Sequence, residues 1–367
     1  MRSLNNYNFN FQFDSFFSKL CFFTFFRLIS SIIVFVILYF YDSRIFSYTD
    51  LDFYGSQENS LFSPNFLYSN LVKLIGYNQN TILETKYIII SFFIGIIFTT
   101  PYIYISSKYL SKRKSLIYLL LLSFHPYLAL YSLKFDTSIF GLLGVGGFTI
   151  YLFKPNKSNF SLSLLINSFT SLMRNSMLPF VFCNLMLLFK KKFKYSLINI
   201  VSIVISGFLI SFVIYSQIGY GLEYLGQNYG CYSLGNIDSY LTNFLGSTLS
   251  SLLSIFITPV IHLILDLGAR EAISIYCLNL PESYASSNLI NISSSFLFLI
   301  FHSFLIFRMI RWINLSPSKN RLEILIPFSI LLPTLYGVAH MRYLLPLIPF
   351  MMLWIFMPYR REISNNY

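Results

Sequence analysis

Charged side chains are scarce in this sequence: 14 acidic and 26 basic residues among 367, or 11% of the chain. A soluble domain carries about 25%, so there is too little polar surface to cover a water-soluble fold of this size. The four cysteines (Cys21, Cys183, Cys231, Cys277) form no CxxC pair, which removes zinc ribbons and dithiol redox motifs. Cys21 and Cys183 lie in or beside apolar runs and read as packing residues, whereas Cys231 and Cys277 fall in polar stretches where a disulfide is open but undecided. The four histidines (His125, His262, His302, His340) show no HExxH spacing. No GxxxxGK phosphate loop, Ser-His-Asp signature or haem motif is present. There is also no long polar domain and no clear internal repeat.

Apolar residues are what the chain does have. They make up 55% of it, with a mean hydropathy of +0.63, and several runs reach the ~20 residues needed to cross a bilayer core. In lipid only helices or a closed barrel satisfy their backbone groups. These runs are too continuously apolar for the alternation of a barrel. The expectation is an all-α, polytopic integral membrane protein with about 9–11 transmembrane helices, forming one transmembrane domain over residues 1–367. The net charge of +12 is not a nucleic-acid signature, because the cations fall in short clusters between apolar runs, as the positive-inside bias and contact with anionic lipid require.

Residues 1–20 read as a cytosolic lead-in, and a first span over 22–41 follows. No small-residue cleavage site comes after it, so it reads as a retained anchor, with Lys19 and Arg27 holding the N-terminus inside. The loop 42–85 has five acids (Asp42, Asp50, Asp52, Glu58, Glu84) against Arg44 and Lys73, which suits the outer side. Within it, Phe66–Ile75 is too short to span and is expected to lie in the interface, ending at Gly76. Spans at 86–106, 115–133 and 137–153 place Lys108, Lys112, Arg113, Lys114, Lys154 and Lys157 inside and Lys134-Phe135-Asp136 outside. Gly141, Gly144, Gly146 and Gly147 permit close helix packing. Residues 160–189 have Arg174 in the middle and Lys190–Lys194 after them, so two short helices meeting at an outer Arg174-Asn175 turn are expected.

A span at 195–216 leads to a second outer loop at 217–245. The segments 246–266 and 290–307 are both apolar enough to cross. Two crossings would leave Arg308, Arg311, Lys319 and Arg321 outside, so either 246–266 is re-entrant, or 267–289 holds a further crossing, or the charge rule fails here; the first two are favoured. A closing hairpin, 323–340 and 343–358, puts His340-Met341-Arg342-Tyr343 at an outer turn and Arg360 and Arg361 inside.

Once topology accounts for the basic clusters, Asp50, Asp52, Lys134, Asp136, Arg174, His340 and Arg342 remain, all at outer ends of spans. Ionisable groups at membrane depth are costly and face a cavity or a partner. Cations beside carboxylates suit a phosphate-bearing ligand and a base. Each residue also has a plainer role open to it. Asp50 and Asp52 are then solvated loop acids, Lys134 snorkels, Asp136 caps the next helix, Arg174 anchors at the interface and His340 packs.

Several short stretches together resemble the GT-C membrane glycosyltransferases, and within them the protein mannosyltransferase and aminoarabinose transferase type. They are the Asp-containing first outer loop (Tyr48–Tyr54), His125-Pro126-Tyr127 leading to Leu133-Lys134-Phe135-Asp136-Thr137, Arg174 followed by Pro179, and Arg342-Tyr343-Leu344-Leu345-Pro346-Leu347-Ile348-Pro349. The resemblance implies transfer of a sugar from a polyprenyl-phosphate donor to a glycan, lipid or protein acceptor at the non-cytosolic face, by single inverting displacement. It implies a multi-pass protein of a bacterial inner membrane with both termini cytosolic. Asp50, or Asp52, is then the catalytic base, and Arg342 and Arg174 bind the donor phosphate with Lys134 and His340 beside them. Asp136, Tyr54 and Tyr343 complete the candidate site. A divalent metal is compatible with this chemistry, although no ligand motif specifies one.

The chain departs from the family pattern in lacking a C-terminal soluble domain and in its loop 217–245. Two other classes remain open. A surface-polysaccharide polymerase or ligase would place its key arginines in later outer loops without an essential Asp after the first span. A transporter of lipid-linked glycans would show broken helices in pseudo-repeat.

Overall fold

The structure is a computed structural model that describes residues 15–41, 66–76, 85–174, 177–191, 322–335 and 344–357, with further helical positions between 300 and 311. Among the described residues every regular element is helical. They are α1 (Phe16–Tyr41), α2 (Phe66–Leu74), α3 (Thr85–Tyr109), α4 (Lys112–Phe124), α5 (Pro126–Tyr131), α6 (Ser138–Phe153), α7 (Lys157–Met173), α8 (Leu178–Lys191), a 3₁₀ helix (Leu322–Leu335), a short 3₁₀ turn (Leu345–Leu347) and α9 (Ile348–Phe356). Among the described residues two helices, Phe16–Val36 within α1 and Lys86–Tyr109 within α3, are long and apolar enough to cross a membrane. Residues 195–299, including the ambiguous run 246–289, lie outside the described residues, as does the second outer loop.

Helix boundaries follow local chemistry. The expected span over 115–133 is two helices instead. His125 takes an extended conformation (φ −65°, ψ 116°) because a residue before proline is pushed out of the α region, and Pro126 starts α5 at its first position. α1 begins at Phe16, earlier than the expected start near residue 22. α7 is capped by Asn156, whose side chain accepts from the backbone N–H of Asn159 at 2.7 Å. It stops at Arg174, which is extended (φ −151°, ψ 110°). α2 is followed by Gly76 at φ +82°, a left-handed position where a side chain would be strained. Pro101 interrupts α3, and the carbonyl it cannot serve, that of Ile97, accepts from the Thr100 hydroxyl at 2.6 Å.

α6 is the hub, and its glycines face different neighbours. A Cβ on Gly141 would meet Pro346 at 2.5 Å, and one on Gly146 would meet Pro101 at 2.9 Å. A Cβ on Gly144 would strike Met177, Asn167 and Thr170 at 2.6–2.8 Å. Small residues here let the backbones of α3, α7 and the 345–347 turn close on one helix. Its own Leu142, Val145, Phe148 and Tyr151 join Tyr102, Phe180 and Trp354 in one apolar cluster.

The apolar residues are not confined to the interior, and buried positions are not all apolar. The packed side of α7 carries Ser161, Ser163, Asn167, Ser168, Thr170 and Ser171, all buried, while Leu162 and Phe169 are exposed. α1 exposes Phe25, Leu28, Ile32 and Val36 at helical spacing, and α3 exposes Ile89, Phe93 and Ile97. Apolar stripes of this length facing outward mark a surface made for something other than water. Cys21, expected to pack, is exposed, and Cys183 is half-buried; both are free thiols.

The helices run antiparallel in sequence, so the bundle has two chemically distinct ends. At one end Lys108, Lys112, Arg113, Lys114, Lys154 and Lys157 are exposed. Arg308 belongs to this end, donating to the carbonyl of Ile355 at 3.3 Å, next to Trp354 stacked on Phe153. The opposite end holds α2, the 132–137 turn and the turn after α7.

Candidate functional site

Three of the expected site residues fall among the described ones, and all three sit at the end opposite the basic cluster. Lys134 and Asp136 are on the turn joining α5 to α6, and Arg174 follows α7. α6 and α7 pack along their length, so residues 38 positions apart in sequence are brought together by one helical hairpin. An Arg174 guanidinium nitrogen lies 3.9 Å from Asp136 Oδ1, with both side chains about 4% exposed. At that depth neither group stands at the interface. The pair is buried, and each charge offsets part of the other's desolvation.

Asp136 has a second task. Its Oδ1 accepts the backbone N–H of Ser138 at 2.7 Å and also the Ser138 hydroxyl. It therefore serves one of the orphan donors at the start of α6, placing a negative charge at the positive end of the helix dipole. A carboxylate committed in this way is better suited to holding Arg174 and the turn than to removing a proton from a substrate. Lys134 is half-buried, with its ammonium 5.7 Å from the ring centroid of Tyr131, a cation–π distance.

The turn bearing Lys134 and Asp136 is held from outside by α2, the short helix of the first loop. Tyr68 is fully buried and donates its hydroxyl to the carbonyl of Phe135. Its ring stacks on Phe135 at 5.6 Å and meets Phe140 edge-on at 6.1 Å. Tyr87, Val72 and Met173 complete this second apolar cluster. The far end of α2 is tied by Lys86, whose ammonium donates to the carbonyl of Gly76 at 3.0 Å. Tyr68 was not legible as a site residue: it is one of 28 tyrosines, and its only signal is its place on the buried side of a short helix.

The start of the terminal hairpin reaches the same region. Pro346 packs on Gly141, one turn into α6 from Ser138, and its carbonyl accepts from Tyr102 at 3.3 Å. Met177, from the turn after Arg174, touches the same glycine, its sulfur 3.4 Å from where a Cβ would stand. Asp50, Asp52, Tyr54, His340, Arg342 and Tyr343 lie outside the described residues. Among the described residues no three His, Cys, Asp or Glu side chains gather closely enough to hold a metal ion.

No protein-family model matches the chain, and comparison with curated proteins and with solved structures finds no match.

Proposed function

We propose that this chain is a polytopic membrane glycosyltransferase that moves a sugar from a polyprenyl-phosphate donor to an acceptor at the non-cytosolic face. The observation that carries the proposal is the sorting of ionisable groups between the two ends of the bundle. One end bears exposed cations, as a cytosolic face does. The other buries a carboxylate–guanidinium pair beside Lys134, under a helix of the first loop. Buried charges at a helix-bundle end mark a polar site. The outward apolar stripes of α1 and α3 and the serine-rich packed side of α7 support the bilayer as solvent, and the resemblance in the Tyr48–Tyr54, Leu133–Thr137 and Arg342–Pro349 stretches supplies the class of chemistry.

On this reading the acceptor hydroxyl loses its proton to Asp50 or Asp52 as its oxygen attacks the anomeric carbon. The bond from that carbon to the phosphate oxygen breaks in the same displacement, and the lipid phosphate leaves. Lys134, Arg342 and His340 stabilise the charge growing on the phosphate. Asp136 keeps the Arg174 guanidinium in place at the edge of the site, and Tyr68 keeps the turn beneath the first loop. Leu344 of the terminal motif is buried, on the segment whose Pro346 packs against Gly141.

The test is Asp50→Asn and Asp52→Asn in the full-length protein, with folding checked by detergent-phase thermal stability and the product followed by mass spectrometry of lipid-linked sugars and surface glycans. Loss of transfer, with the donor accumulating in at least one variant, is the expected result. Full transfer by both folded variants removes the proposed base.

A further inference from the structure

The basic end of the bundle has a feature that topology alone does not require. Lys112, Arg113 and Lys114 fill the first turn of α4, and Lys157 opens α7, with no acid in either first turn. Cations at a helix N-terminus oppose the helix dipole, which favours negative charge there. Ser111, at the capping position of α4, makes no side-chain capping bond. The two hairpin ends are joined by Tyr109 and Phe153, whose rings lie 5.2 Å apart and whose hydroxyl and carbonyl approach to 3.4 Å. Lys108 and Lys154, each next in sequence to one of that pair, therefore flank a single contact.

The apolar surface runs directly into this patch. Along α3 the exposed side passes from Phe93 and Ile97 to Tyr104 and then Lys108, whose ammonium lies 5.8 Å from the Tyr104 ring centroid. Along α4 it passes from Phe124, Leu121 and Ile117 to Lys114. A free phosphate or a nucleic acid would leave these stripes in water. An amphiphile with an anionic head and an acyl tail covers both at once.

We infer that the end of the bundle bearing Lys108, Lys112, Arg113, Lys114, Lys154 and Lys157 binds the headgroups of anionic phospholipids, with the acyl chains lying along the outer stripes of α3 and α4. The inference rests on the membrane reading above but not on the transfer chemistry.

The experiment uses the full-length protein in a neutral detergent. Phosphatidylglycerol, phosphatidylcholine or inorganic phosphate is titrated in, bound lipid is counted by native mass spectrometry, and the thermal midpoint is followed in parallel. Wild type is expected to retain phosphatidylglycerol at least about tenfold better than phosphatidylcholine and to gain nothing from phosphate. Each charge removed should weaken retention about fivefold. Two independent variants guard against a folding defect: Lys112→Gln/Arg113→Gln/Lys114→Gln, and Lys154→Gln/Lys157→Gln. Lys73→Gln/Lys86→Gln, at the other end, should leave retention unchanged. Equal retention of the two lipids, stabilisation by phosphate alone, or loss in the Lys73/Lys86 variant equal to that in the others would each overturn the inference. A protein that stays monodisperse in water without detergent would overturn the membrane reading itself, whereas one that needs detergent but ignores headgroup charge would overturn only the lipid site.

Discussion

Arg27 donates to the carbonyl of Leu122, and Pro126 is the reason that carbonyl is available. In a continuous helix the acceptor at Leu122 would bond the amide four residues on, and proline has no N–H. α1 thus supplies from outside what the break between α4 and α5 takes away. Beside it the Ser30 hydroxyl donates to the carbonyl of Ser123 at 2.6 Å. The Arg27 side chain is buried and lies over the Phe23 ring at 5.2 Å. A residue that reads from the sequence as a topology marker is in fact a strut between helices.

A double-mutant cycle tests this strut. Arg27→Met leaves the Leu122 carbonyl unserved and is expected to cost about 1–3 kcal/mol. In a Pro126→Ala background the restored amide serves that carbonyl, and the same substitution should cost at least about 1 kcal/mol less. Thermal midpoints in detergent measure both. Additive effects would mean that Pro126 does not create the need for Arg27.

The ion pair and the cap at Asp136 are separable. Asp136→Asn keeps an acceptor for the Ser138 amide but removes the carboxylate facing Arg174, at an expected cost of about 3–5 kcal/mol. Arg174→Met alone removes the guanidinium facing Asp136. The double variant should be milder than the sum of the two singles, because the two groups interact. Asp136→Ala should cost about 1 kcal/mol more than Asp136→Asn through loss of the cap. Expression level and unfolding midpoint across the four variants provide the comparison.

The α6 glycines differ in how much room they leave. Gly144→Ala would drive a methyl into Met177, Asn167 and Thr170 together, and overpacking of this kind costs about 1–3 kcal/mol. Gly147→Ala meets chiefly the terminal methyl of Ile166, at 3.3 Å. It should be neutral or stabilising, since alanine is favoured over glycine in a helix by about 1 kcal/mol. Thermal midpoints of the two variants, falling for one and holding for the other, are the expected pattern.

Tyr68→Phe keeps the stack on Phe135 and removes only the hydroxyl bond, for an expected loss of about 0.5–1.5 kcal/mol. Tyr68→Ala empties a buried ring site and should cost about 3–5 kcal/mol. If the turn at Lys134 serves the proposed transfer, Tyr68→Phe should lower the rate of sugar transfer while the protein stays folded at assay temperature. Unchanged transfer in that variant would separate α2 from the site.

The helix ends were legible where a residue acts alone. Gly76 terminates α2 by its own backbone freedom, and the turn at Arg174 follows from cations at both ends of a segment too long for one crossing. The break at Pro126 was visible as a proline, yet it was hidden inside a run whose length suited a single span. The buried faces were not legible. α3 and α6 are apolar on nearly every side, so their hydropathy has little direction, and the buried side of α7 is rich in serine. The pairing of Asp136 with Arg174 depends on the close approach that Gly144 allows, which no local pattern announces. The first-loop acids and the Arg342 motif were read from sequence and lie outside the described residues.

The serine-lined inner side of α7 also changes how variation in this protein should be interpreted. Replacing Ser168 or Ser171 by leucine makes the chain more hydrophobic and should damage the bundle, because both positions are fully buried and the added volume must displace packed neighbours. Replacing Leu162 or Phe169 by serine adds polarity on the outside and should damage it too, by putting a hydroxyl where the surroundings are apolar. The usual intuition that greasy belongs inside and polar outside will mis-sort harmful from harmless substitutions along this helix.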